Sequence, residues 1–153
     1  MRKLRVSRTR TRATRRGQAL VETAISIVVL LLLTFSVVDG AVLYFAYLTL
    51  ENAVTEATRY AVTNQQMDDL SRDESIKLVM RRFAVGLTIP DSEIAFYNVS
   101  KGTPDSGGPR DIIQVQVAHP WQLMSPLLWP LTAGTSGRFN LNVHATMRNE
   151  PPP

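Results

Sequence analysis

The sequence predicts an α+β protein: a long hydrophobic N-terminal helix, then a small domain with one further helix and an antiparallel sheet of about three strands. Three observations lead there. Residues 23–50 contain no ionisable group besides tyrosine except Asp39, and a run this long and apolar reads as a membrane helix. Residues 71–85 open on capping-box spacing and continue with helical periodicity. Residues 93–100, 111–119 and 138–147 alternate apolar and polar side chains, the period of a strand.

The chain begins with a basic arm. Arg2, Lys3, Arg5, Arg8, Arg10, Arg12, Arg15 and Arg16 precede Gly17, which is 8 of the 17 Lys and Arg, with no acid among them. From Gln18 onward 9 bases face 13 acids, a formal charge of 9 − 13 = −4. Bases flanking a membrane helix stay on the cytoplasmic side, so the N terminus is expected in the cytoplasm and the acid-bearing remainder across the membrane. With an apolar helix beside it and no aromatic interleaved for base stacking, the arm is not expected to bind nucleic acid.

At about 1.5 Å per residue, a bilayer core of about 30 Å needs about 20 residues, and the membrane part is placed at about 23–48. Asp39 falls about 24 Å along the helix from Thr23, near the outer interface, where its carboxyl is expected to reach water. Residues 49–63 keep Leu50, Ala53, Val54, Ala57, Ala61 and Val62 at helical spacing, so the helix is expected to continue outward past the membrane, the alternative being a separate surface helix after a break at Gly40. The domain organisation is a leader at 1–17, a helix at 18–63 and an extracytoplasmic head at 64–153.

In the head, Ser71-Arg72-Asp73-Glu74 starts a helix whose buried stripe is Ile76, Val79, Met80 and Phe83, ending near Val85 before Gly86 and Pro90. Residues 93–100 and 111–119 form a hairpin around a long loop, with Ile113, Val115 and Val117 on one side. Residues 120–131, PWQLMSPLLWPL, carry three prolines that prevent a regular long element. They read as an irregular lid or as a contact surface for another subunit through Trp121 and Trp129. The last strand turns Phe139, Leu141, Val143 and Ala145 inward.

The chemistry-bearing residues form no catalytic set. With no cysteine, disulfides and thiolate sites are excluded. His119 and His144 have no third ligand in view, Gly134-Thr135-Ser136-Gly137 departs from nucleophile-elbow spacing, and Asn98-Val99-Ser100 matches a glycosylation triplet of a kind common by chance. No cofactor, metal or enzymatic activity is expected.

The most informative stretch is Arg15-Arg16-Gly17-Gln18-Ala19-Leu20-Val21-Glu22. An acid at the head of a membrane helix is favoured by the helix dipole by roughly a few tenths to 1 kcal/mol, which accounts for Glu22 but leaves the glycine unexplained. Cleavage after Gly17 would expose the amine of Gln18, which the Glu22 carboxylate of a neighbouring helix could neutralise.

On these residues the chain resembles the type IV pilin superfamily, and more closely the TadE-like pseudopilins (minor pilins) of the tight adherence pilus. Glu56-Ala57-Thr58-Arg59-Tyr60-Ala61 and Ala145-Thr146-Met147-Arg148-Asn149-Glu150 add to the resemblance. Such proteins often carry an aromatic directly after the glutamate, where this chain has Thr23. The resemblance implies a pilin-like fold, processing by a prepilin peptidase between Gly17 and Gln18, an assembly role for Glu22, and residence in the bacterial inner membrane and then in the pilus. The implied partners are the peptidase, other pilins and pseudopilins, the assembly platform and the lipid bilayer. The competing reading is an uncleaved, single-pass anchored binding module.

Overall fold

The structure is a computed structural model that describes residues 10–63, 65–67, 69–132, 134 and 136–151. Arg2, Lys3, Arg5 and Arg8 of the arm, with Asp68 and Thr135, lie outside the described residues. The first helix, α1, spans Arg10–Val62 and passes through Gly40 without a break. The chain divides into two compact units, Met1–Val38 and Asp39–Pro153, so the division falls inside this one helix.

In the first unit, the large apolar side chains of residues 20–38 point outward on every side of the helix, Leu20, Ile25, Leu30, Leu33 and Val37 among them. A helix apolar all round and unburied within its own chain suits a lipid environment. The helix is long and apolar enough to cross a membrane, which makes the chain a candidate single-pass membrane protein. Its hydroxyls need no outside partner. Thr23, Ser26, Thr34 and Ser36 each donate to the carbonyl four residues back, at 2.7 to 2.8 Å. Internal satisfaction of this kind is what a medium without hydrogen-bonding solvent demands.

In the second unit, α1 turns one face inward: Leu50, Ala53, Val54, Ala57, Thr58 and Ala61 are fully buried. The alanines along this face let neighbouring elements approach the helix backbone closely. The second helix, α2 (Arg72–Phe83), begins at the expected capping box, with Glu74 N donating to Ser71 Oγ and Ser71 N donating to Glu74 Oε2. It buries Ser75, Ile76, Val79 and Met80. Phe83 is exposed instead of completing that stripe. It sits in the last turn and lines an open groove with Tyr60, Val79 and Arg82, because periodicity identifies a face but not what lies opposite it.

The sheet has three antiparallel strands in the order β1-β2-β3, namely Ile94–Asn98, Ile112–Gln122 and Arg138–Arg148. The register sets Phe96 beside Val115, and Val115 beside Ala145. Ile94, Ile113, Val115, Val117 and Val143 face the core formed with α1 and α2, while Gln116, Asn142 and His144 are exposed on the other face. On β3 Leu141, Val143 and Ala145 turn inward as its alternation predicts, but Phe139, near the start of the strand, is 41% exposed because the core does not extend that far along the sheet.

Two strands differ in extent from expectation: β1 is shorter than residues 93–100, because Glu93 closes a 3-10 helix and the chain turns after Asn98, and β2 is longer. β2 runs three residues past His119, so that Pro120 pairs with Asn140 and Trp121 with Phe139. Proline lacks only the donor of a ladder position, so it did not end the strand. The irregular part of the 120–131 segment starts at Leu123 and contains a short 3-10 helix, Pro126–Leu131.

Candidate functional site

Gly17 lies inside α1 and is exposed, and a Cβ added there would meet nothing within 4 Å. Neither packing nor a special backbone angle calls for glycine, which costs roughly 0.5 to 1 kcal/mol relative to alanine in a helix interior. One turn further on, Gln18 Nε2 donates to Glu22 Oε1 at 2.9 Å across an exposed i, i+4 pair. Gly17, Gln18 and Glu22 are therefore all exposed at the head of the apolar helix. Thr23, in the place where an aromatic is often found, bonds back to Ala19.

Asp39 departs from expectation. It is 3% exposed, and its Oδ2 accepts the N–H of Ser125 at 3.0 Å, while Oδ1 is buried without a hydrogen-bond partner. The carboxyl thus binds the head's own backbone instead of water, a contact between residues 86 positions apart that no local pattern encodes. The 123–137 region is braced further by Leu123 N donating to Gly137 O at 2.8 Å and Trp129 Nε1 to Leu123 O at 3.3 Å. Trp129 lies so close to Gly137 that a Cβ there would fall 2.3 Å from its ring. Trp121 and Trp129 are both half-buried.

The loop joining β1 to β2 is organised by Asn98, which is fully buried. Its amide donates to Asp105 Oδ1 and Asp111 Oδ2, and its Oδ1 accepts the N–H groups of Ser100 and Lys101. The nitrogen a glycan would need is committed, so the Asn98-Val99-Ser100 triplet is a loop clamp in this fold. The Lys101 ammonium, then the Gly108 N–H and the Asn98 amide, hold Asp111 down at about 2. The Thr103 hydroxyl, followed by the Gly107 N–H and the Asn98 amide, lowers Asp105. Hydrogen bonds to the charged form favour it in each case.

Two residues that the sequence reading passed over tie this loop to the helices. Arg72 donates to Gly107 O and, at 2.9 Å, to Ala61 O near the end of α1; burial pushes its guanidinium down from the usual range. Asn149 donates to Gly108 O at 2.8 Å, and the next backbone N–H, of Glu150, donates to Val62 O at 3.0 Å. An arginine in the first turn of a helix opposes the helix dipole, and that mismatch was the available sign of a role for Arg72. The two further resemblance stretches thus acquire physical roles: Ala57, Thr58 and Ala61 pack α1 against the core, Asn149 holds the β1–β2 loop, and the Glu150 N–H closes the end of α1.

The two histidines do not converge. His119 Nδ1 lies 2.6 Å from Glu93 Oε2, whereas His144 pairs with Gln116 on the exposed face of the sheet. Among the described residues no cluster of three or more metal-ligating His, Asp or Glu side chains occurs.

Residues 17–59 match the family model described as TadE-like protein, the family the sequence resembles. The match starts at Gly17 and takes in the Gly17–Glu22 motif and the first four residues of the 56–61 stretch. No curated protein and no solved structure matches the chain.

Proposed function

We propose, from the TadE-like match, that this chain is a minor pilin or pseudopilin of a tight adherence type IV pilus. A prepilin peptidase cuts it between Gly17 and Gln18, and it is then used in pilus assembly. The observation that carries this reading is the glycine itself. Gly17 is an exposed helix-interior residue whose absent side chain nothing in the fold requires, and the family match begins there. A residue that costs helix stability and serves no packing is accounted for by recognition in another protein's active site.

Hydrolysis of the Gly17–Gln18 amide releases the basic arm and leaves an α-ammonium on Gln18, largely charged at neutral pH. The Glu22 carboxylate of a neighbouring helix pairs with it, removing two charges from a low-dielectric setting that disfavours each alone. The Lys and Arg of the arm keep the N terminus in the cytoplasm of a bacterial inner membrane and place the head outside. Partners are the peptidase, other pilins and pseudopilins, the assembly platform and the bilayer, with the half-exposed faces of Trp121 and Trp129 offered to adjoining subunits. The chain is a substrate of processing and has no catalytic role of its own.

The test is the N-terminal residue of the mature protein, determined by mass spectrometry on membranes with and without a Gly17 substitution. A start at Gln18 that vanishes on substitution is the expected result. An intact arm would overturn the proposal in favour of an uncleaved anchored binding module, and a start near Ala41 would point to a secreted domain. Glu22→Ala should leave processing intact and abolish assembly.

A further inference from the structure

Residues 120–137 contain no Asp, Glu, Lys or Arg, an 18-residue uncharged stretch in a chain that is 20% charged. Within it Met124 is 70% exposed and Leu127 47%, whereas Leu128 beside them is buried. The turn that carries them is held at Leu123 by Gly137, at Trp129 by Leu123, and at Ser125 by the carboxyl of Asp39. The outward side chains are therefore presented by a braced scaffold.

The place where that turn is pinned identifies its occupant. Asp39 directly follows the outward-facing apolar run that ends at Val38. From Gly17 to Val38 the helix runs 22 residues, roughly 33 Å and close to the thickness of a hydrocarbon core, so the span ends at Asp39 and not near residue 48 as hydropathy alone suggests. Tyr44, Phe45 and Tyr47 follow on α1, exposed and about 7 to 12 Å beyond Asp39 along the helix, the depth of a headgroup layer where aromatic rings concentrate.

We propose that Met124 and Leu127 form a second membrane contact, seated in the outer lipid interface and held there by the Asp39–Ser125 bond. This rests on the proposed membrane-anchored reading, with the span placed at residues 17–38 in place of the 23–48 expected from the sequence. A bilayer surface fits the turn by its lack of charge, its exposed apolar tips and its attachment to the residue where the span ends.

The natural chain has no cysteine, so single-cysteine variants of the full-length protein can carry a nitroxide without background labelling. In proteoliposomes, Val29→Cys reports the span, Met124→Cys the turn, and Asn142→Cys the exposed face of the sheet. Each is read as collision with oxygen, which concentrates in lipid, against a water-soluble nickel chelate. The expected result is a Met124 label several-fold richer in oxygen collisions than the Asn142 label, lost when Asp39→Ala is added. A Met124 label as wet as Asn142, with Val29 in lipid, overturns the second contact and leaves the span standing. A wet Val29 label removes both. A Met124 label shielded from both reagents also overturns the lipid contact, and assigns the turn to a second protein surface.

Discussion

Residues 20–38 and residues 46–61 belong to one unbroken helix, yet they are built for different surroundings. The first stretch carries valine, leucine, isoleucine and phenylalanine on all sides, with Glu22 and a few hydroxyls among them, and is exposed throughout apart from half-buried Leu32. The second is two-faced, with Ala46, Leu50, Ala53, Val54, Ala57 and Ala61 buried and Glu51, Asn52 and Arg59 outside. The difference shows that hydropathy alone does not say where a helix leaves lipid. What changes along α1 is the size of the residues and whether the apolar ones occupy one face or all. Small residues on one face mark where protein packs against the helix; large ones all round mark where none of its own chain does.

Truncating the same side chain in each half is the sharpest way to break the comparison. Leu50→Ala removes a fully buried group and is expected to lower head stability by about 3 kcal/mol, whereas Leu30→Ala should change it by less than about 0.5 kcal/mol. Urea unfolding of the full-length protein in mild detergent measures both. Equal effects would mean that residues 20–38 also pack against the head.

Arg72→Met comes next. It removes the donor to Ala61 O and Gly107 O and should cost about 2 kcal/mol, the range for leaving buried carbonyls unpaired. The same unfolding measurement applies, and a neutral outcome would show that the end of α1 is held without the loop.

The smallest effect is the pH response of that loop. Asp111 and Asp105 are depressed in the folded state, so each contributes stability that is full above its ordinary range and is lost as pH falls through its folded value. For Asp111 the window lies between the ordinary carboxylate range and about 2. Amide exchange of Gly108, whose N–H donates to Asp111 Oδ2, should accelerate across that window relative to a β3 amide. In Asp111→Asn the difference should already be present at neutral pH.

Much of this architecture was legible because the signals were periodic. The capping box at Ser71 and Glu74, the alternation of β3 and the length of the apolar run each report a local rule with one structural solution. The glycine and glutamate of the Gly17–Glu22 motif were legible for the opposite reason, since each is out of keeping with its surroundings. What escaped notice were single polar residues whose partners are distant in sequence. Asn98 carries a familiar triplet, and only its burial between Asp105 and Asp111 shows it to be a clamp. Asp39 has the composition of an interfacial acid, and only the fold brings Ser125 to it.

By itself the sequence determined the α+β order of elements, the long apolar helix and the faces of the strands, because backbone hydrogen bonding and side-chain period are set by neighbours a few residues apart. The tertiary structure decided where the head begins on α1, how far β2 continues past Pro120, and which buried carboxyl and amide groups meet. Those outcomes depend on chain closure over tens of residues, where burial of a polar group is tolerated only if a partner arrives from elsewhere in the fold.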